Sequence, residues 1–424
     1  MNVNELVHKK FFKIVKPIIL KMMVLTRNLN RSKLPDLNFT KDKRVLFIAS
    51  DNDNSSGAFL SLVYLCDNLI KKYDIDVFVI LPTIGNGGAL LDEKNIPNAI
   101  LTSFGWGIEL STERDNKCEK EISDKKLIND VAIKKLRRFL VKNKFNLVHI
   151  NTTYPYIGAI AALKENVPFV WHLREMLEED QGNTLWDREK GNQLINKANK
   201  VITISNSLNK KYSEFIDDDR LVTIYNGIEI EKFYSPQKEI FEEDTVKIIF
   251  IGYIVDYKGI YDFCDACIKL YEEFKNLKIL IVGSGQTDVA DEIHTRFVKS
   301  GMDEIVEMLG FQKDVNKFLA QTDIFCMCSK SEAFGRTTVE AMLSGNFVVG
   351  ANTAGTTELI EDGVTGILYN QGSSDDLCAK LSWAIRNKMK AKEMAKNGRQ
   401  YMFENMSAER NADEIYQLYE EILN

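Results

Sequence analysis

Short apolar runs alternate with longer amphipathic stretches along most of the chain, from about residue 44 onward. Residues 44–49 (RVLFIA) and 76–81 (DVFVIL) have the length and content of buried parallel strands. Between them, 50–57 is polar and turn-rich, and 58–70 carries helical periodicity. Residues 147–150, 168–172, 200–204 and 221–225 continue the series, which closes on the turn signal Asn226-Gly227. A second series follows the charged stretch 239–244, with strands at 246–251, 278–282, 305–309, 323–327 and 347–350. Two successive βα series predict an α/β protein of two doubly wound domains with mostly parallel sheets, joined near 230–245. A charged helical tail runs from about 375 and ends at 408–423. Ligands of such folds sit beyond the carboxyl ends of the strands, so the loops there hold the candidate chemistry.

Composition narrows the class. At 424 residues, 45% hydrophobic and 27% charged, the chain is a folded globular protein of about two domains. The formal charge of −6 supplies no global basic field, so no nucleic-acid partner is expected. Seven scattered Cys fit reduced cytoplasmic thiols better than a disulfide framework. No apolar stretch reaches the roughly 18–20 residues of a spanning helix. The first 35 residues carry eight Lys and Arg, among them Lys9, Lys13 and Arg27, against the single acid Glu5, with Phe11, Phe12, Ile18 and Leu20 between them. Such a segment reads either as a basic amphipathic helix on an anionic membrane face or as a solvated helix packed on the domain. Pro17 breaks or kinks it.

The densest candidate chemistry is Ser331-Glu332-Ala333-Phe334-Gly335-Arg336-Thr337-Thr338-Val339-Glu340-Ala341-Met342, directly after the strand at 323–327. A helix starting near Gly335 leaves Glu332 in the preceding loop and puts Glu340 one to two turns inside. First-turn amides and the hydroxyls of Thr337 and Thr338 then form an anion-binding site. The plain alternative is a capped helix with a surface Glu, and the context decides against it. Glu-(seven residues)-Glu with Phe-Gly after the first Glu resembles the signature of retaining nucleotide-sugar glycosyltransferases of the GT-B fold, the large GT4-type (group 1) family. Leu343-Ser344-Gly345, the loop 351–360 and the segment 362–368 resemble that family's helix, glycine loop and closing strand. The resemblance spans roughly 44–424 and is most specific between 323 and 370.

The resemblance implies two Rossmann-like domains facing across a cleft. They comprise an acceptor-side domain at 41–230 after an extension at 1–40, and a nucleotide-sugar domain at 231–404. The helix at about 405–424 is expected to pack back on the first domain. It further implies that Glu332 contacts the donor sugar, that Glu340 contacts the ribose, and that amides around Phe334, Gly335, Arg336, Thr337 and Thr338 hold hydroxyls and phosphate. Ile251-Gly252-Tyr253 and Lys258-Gly259 resemble the phosphate-clamping segment. Lys258 matches its cation, whereas the usual Arg is Tyr253, a place that Arg336 or Arg174 are candidates to fill. Ser55-Ser56-Gly57 resembles the loop facing donor phosphate and acceptor, putting Ser56 and Gly57 there. Val170-Trp171-His172-Leu173-Arg174-Glu175 resembles the strand-end His motif, placing His172 and Arg174 at the donor–acceptor junction. His149 is a weaker candidate. Phe311 resembles the nucleobase border and is equally suited to a core, while Gly283 in Gly283-Ser284-Gly285 fits a ligand-facing loop.

No metal or other cofactor is expected. Cys264-x-x-Cys267 lacks a second pair at zinc spacing, and Asp51-x-Asp53 and Asp74-x-Asp76 read as surface-loop residues. The expected activity is sugar transfer from a nucleotide-sugar donor to a glycan or lipid-linked oligosaccharide, as in bacterial surface polysaccharide synthesis, at a cytoplasmic site or on the inner membrane face. A GT-B 2-epimerase and a non-catalytic nucleotide-sugar-binding partner are the competing readings. A dinucleotide-dependent oxidoreductase is disfavoured, since no G-x-G-x-x-G joins the first strand to its helix. If residues 1–35 anchor the protein, deleting them abolishes co-sedimentation with anionic vesicles. A truncated chain that still pellets refutes the anchor.

Overall fold

A computed structural model describes residues 34–424, so the basic N-terminal segment lies outside the described residues. The first half contains β1 (Lys43–Ile48), β2 (Ile75–Leu81), β3 (Asn98–Ile100), β4 (Gly107–Glu109), β5 (Leu147–Asn151), β6 (Phe169–Leu173), β7 (Asn183–Leu185), β8 (Lys200–Thr203) and β9 (Leu221–Thr223). Seven of them form one parallel sheet in the order β3-β2-β1-β5-β6-β8-β9. The central strand β1 sets Lys43 opposite Ile75 and Val45 opposite Leu147. Val45, Leu46 and Phe47 are all inaccessible, which is why this strand reads as a continuous apolar run rather than an alternating one.

The second half contains β10 (Val246–Ile251), β11 (Leu277–Val282), β12 (Val306–Met308), β13 (Ile324–Met327), β14 (Phe347–Ala351) and β15 (Ile367–Tyr369). These pair in the parallel order β12-β11-β10-β13-β14-β15. Helices separate the strands in both halves, as the periodicity predicts. Periodicity does not reveal β3, nor the antiparallel ribbon in which β4 pairs with β7. Each is three residues long, too short to display a period, and β4 and β7 are strands only because they meet each other.

The closing helix, Ala408–Leu423, crosses back to the first half and packs on the helix Gly57–Lys72. Ile415, Leu418 and Tyr419 enter the core that also holds Val45, Phe47, Phe59 and Leu62. A parallel bridge from Ile228 to Ser407 aligns the two crossings of the chain between the halves. The halves are also joined by Glu358, whose carboxylate accepts from the Asn206 and Ser207 amides and the Ser207 hydroxyl at 2.7 Å, and from the Tyr225 hydroxyl at 2.8 Å. Charge-assisted bonds of this kind are stronger than neutral ones, and here they fix the cleft between the two sheets.

Candidate functional site

Each sheet reverses its winding between two neighbouring strands, β1 and β5 in one and β10 and β13 in the other. Loops leaving such a pair diverge and open a crevice. Two cavities, of about 540 and about 490 Å³, occupy the cleft formed by these loops. Both volumes lie in the range typical of small-molecule sites. The first is lined by Tyr253, Lys258, Gly283, Phe311, Glu332, Arg336, Thr337 and Glu340, with Asn54, Ser55 and Gly57 opposite. The second is lined by Ser56, Gly57, Arg174, Glu175, Asp180 and Asn226, with Tyr257, Lys258, Glu332, Phe334, Gly335 and Arg336 opposite. Gly57, Lys258, Glu332 and Arg336 belong to both walls, so the cavities meet at these four residues.

Local structure explains this convergence. Ser56 caps the helix Gly57–Lys72 and donates its hydroxyl to Asp51 at 3.2 Å. Asp51, expected on a surface loop, is half-buried, and it also accepts from the Ser50 hydroxyl and the Asp53 amide. Its role is to shape the turn that aims the helix start at the cleft. Across from it, Gly283 has φ of +149°, and a Cβ there would lie 1.8 Å from the Gly252 carbonyl oxygen. Only glycine lets the loops after β10 and β11 touch in this way. Gly335, at φ +94°, begins the helix Arg336–Leu343 in a backbone region that other residues rarely enter.

At the junction, Lys258 Nζ donates to Glu332 Oε2 at 2.8 Å, and Ser329 Oγ donates to the same oxygen at 3.0 Å. Burial opposes the Lys258 charge, yet Glu332 outweighs it and holds the ammonium above its ordinary pKa. Arg336 Nε donates to Glu340 Oε1 at 2.8 Å, while its NH1 is buried without a protein partner. Burial raises the Glu340 pKa and the Arg336 charge opposes that rise. Phe311 is 57% exposed at the rim of the first cavity and Tyr253 47% exposed, so neither is a core residue. Arg336 thus stands at both cavities. Arg174 reaches only the second, with its guanidinium engaged by Asn151 at 2.7 Å, Asn226 and His172.

Two expected residues do not reach either cavity. His172 is fully buried, with Nδ1 within 3.2 Å of His149 Nε2 and 3.3 Å of Arg174 NH2. Strand β6 ends at Leu173, and only the residues beyond it, Arg174 and Glu175, open onto the cleft. His149 in turn bonds the Tyr419 hydroxyl at 2.6 Å, and burial holds both imidazoles neutral, well below their usual range. Thr338 is also inaccessible, and its hydroxyl has no protein partner. The sequence reading missed Glu175 and Asp180 as lining groups. They sit in Glu175-Met176-Leu177-Glu178-Glu179-Asp180, an acid-rich stretch that reads as an ordinary solvated surface until the fold buries two of its carboxyls. Among the described residues, no group of three or more His, Cys, Asp or Glu is placed to hold a metal ion, and no helix is long and apolar enough to cross a membrane.

Two Rossmann-like domains with a cleft between the carboxyl edges of their sheets define a GT-B protein. Its sequence matches the profile of glycosyl transferases group 1 over residues 231–401 and that of glycosyltransferase family 4 over residues 56–232. The chain belongs to this glycosyltransferase family. It is 26% identical over 301 residues to an uncharacterized glycosyltransferase of Methanocaldococcus jannaschii, covering 70% of this chain and 80% of that protein. It is 24% identical over 239 residues to the capsular polysaccharide biosynthesis glycosyltransferase CapM of Staphylococcus aureus, covering 53% of this chain and 62% of CapM. Anabaena HepE, solved with UDP and with UDP-glucose, has the same fold at 22% identity, with TM-scores of 0.74 and 0.73, covering 89% of this chain and 99–100% of HepE.

The cleft carboxyls are electrostatically poised. Burial pushes the Glu175 pKa up to about 7, against hydrogen bonds from the Thr153 amide and hydroxyl, both at 3.0 Å. A carboxyl whose folded pKa exceeds its unfolded value stabilises the fold fully only below the unfolded value, near 4.5, and that contribution is lost as pH rises through about 7. Glu175→Gln keeps an acceptor for Thr153 and removes the titration. Its stability advantage over the wild type is therefore expected to be near zero at pH 4, to grow between pH 4.5 and 7, and to level off on the order of 3 kcal/mol above that. Urea unfolding of both proteins across this range is the check. A difference that does not vary with pH contradicts the assignment.

Proposed function

We propose that the protein is a retaining, metal-independent glycosyltransferase that holds a nucleoside-diphosphate sugar in the first cavity and a saccharide acceptor in the second. The observation that carries this reading is the shared wall of Gly57, Lys258, Glu332 and Arg336, which is where a sugar passing from one cavity to the other has to lie. HepE with UDP-glucose supports a nucleotide-sugar donor, and CapM supports a surface-polysaccharide role. The acceptor is then a glycan or lipid-linked oligosaccharide, and the basic segment at 1–33 suits a peripheral contact with an anionic membrane.

Breaking the sugar–phosphate bond develops negative charge on the leaving nucleoside diphosphate. Fixed donors in a dry cleft stabilise that charge without reorganising. Lys258, the amides at the start of the helix Arg336–Leu343, and Arg336 are the donors within reach of the first cavity. Arg336 supplies the second cation that Tyr253 does not. Glu332 holds the Lys258 ammonium in place and lies where the sugar ring would sit. Retention follows a front-face course in which acceptor and leaving group share one side of the sugar. A separate cavity of about 490 Å³ beside the donor site favours transfer over acceptor-free epimerisation.

The test is a panel of UDP-, GDP-, ADP- and TDP-sugars scored for nucleoside diphosphate release, with and without EDTA. One donor is expected to react selectively, and Lys258→Ala or Glu332→Ala is expected to lose about 10²–10³ in rate; variants with full activity refute the site. Arg336→Ala is expected to raise the Kd of the free nucleoside diphosphate at least about tenfold. Tyr253→Arg, added to that variant, should recover part of the loss by refilling the usual clamp position. Unchanged binding in Arg336→Ala removes Arg336 from the clamp.

A further inference from the structure

We propose that Asp180 binds the attacking hydroxyl of the acceptor and takes up its proton, a role that rests on the reading of the cleft as a transferase site. Asp180 belongs to the one-turn helix Glu178–Gln181, which packs across the cleft on the turn Asp256–Lys258. The turn is set by Leu177, whose φ of +56° and ψ of −77° are unusual for a residue with a side chain. Such backbone strain persists only where the surroundings enforce it, and it concentrates at functional sites.

The carboxylate itself is 7% exposed and lines the second cavity. Its Oδ2 accepts from the Met176 amide at 3.0 Å, whereas Oδ1 is buried with no protein partner. Three carboxylates line this cavity, and Asp180 alone carries a buried oxygen without a partner. Glu332 is committed to Lys258 and Ser329, and Glu175 Oε2 to Thr153. An unpaired buried carboxylate oxygen is costly, and a hydroxyl donating to it removes that cost. The groups facing Asp180 from its own domain are Glu175, Lys211, Tyr154 and Tyr212. From the other domain they are Glu332, Lys258 and Tyr257. Burial, with Glu332 adding to it and Lys258 opposing, pushes the Asp180 pKa up to about 6. At neutral pH the group is therefore ionised and close to the best basicity for a proton acceptor.

The step balances. The acceptor oxygen forms the new bond to the anomeric carbon while the bond from that carbon to the phosphate oxygen breaks. The bonding pair leaves with the nucleoside diphosphate, and the hydroxyl proton goes to Asp180 Oδ1. In the absence of acceptor, water occupies the same place, so donor hydrolysis reads the same group.

The experiment uses the full chain, with the nucleotide sugar that releases nucleoside diphosphate fastest in the panel. Asp180→Asn keeps an acceptor for the Met176 amide, so its thermal midpoint and its Kd for the nucleoside diphosphate should match the wild type within about twofold. Turnover is expected to fall at least about 10²-fold, and the acid limb of the pH–rate profile near pH 6 should vanish with it. In Asp180→Ala, added formate should restore part of the rate. Asp180→Asn turning over within about threefold of the wild type overturns the proposal. A loss of nucleotide binding in step with turnover also overturns it, since Asp180 is then structural. If the wild type neither binds nor cleaves any member of the panel, the transferase reading itself fails, an outcome distinct from these two.

Discussion

The Lys258–Glu332 ion pair, at 2.8 Å, ties together the parts of the cleft that chemistry requires to be close. Lys258 comes from the turn after β10 and Glu332 from the loop after β13, the two strands between which the second sheet reverses its winding. A buried pair of this kind is weak evidence for stability, because desolvation offsets much of the Coulombic gain. What it supplies is position. With Glu332 fixed, the loop after β13 delivers Gly335 and the helix Arg336–Leu343 to the cavity edge. With Lys258 fixed, the turn Asp256–Lys258 presents itself to the opposite domain.

That opposite domain adds few charges of its own at the junction, and it adds them late in each strand. Arg174 and Glu175 extend just past β6, and Asp180 follows on a strained turn. Behind them lies a buried polar chain from Tyr419 through His149 and His172 to Arg174. The closing helix thereby contacts the residues that back the cleft wall, which links the last element of the sequence to the site. Glu358 supplies the other tie between the halves, using the amides of Asn206 and Ser207. The gap between the domains is thus set by specific bonds on either side of the cavities.

Much of this was legible in the residues. Buried parallel strands are nearly all apolar, so β1, β2, β10 and β11 stood out as runs that no solvent-exposed element would carry. The Glu332-to-Glu340 segment was legible because its spacing, its glycine and its place after a strand all agreed. Tyr253 was visible as a departure, but whether Arg336 or Arg174 stands near it was not, since each is far from it in sequence. His172 shows the opposite error. Its motif was read correctly as a strand end, yet the side chain turns into the domain and the opening begins two residues later.

The sequence by itself determined the two doubly wound domains, their seam and the family, because periodicity and local motifs are properties of neighbouring residues. Only the tertiary structure decided which charges converge. Asp180 in an acid-rich stretch looks solvated until the turn Asp256–Lys258, some 76 residues further along, closes over it. Burial and the pairing it forces depend on which distant segments share a wall, and one-dimensional spacing carries no record of that.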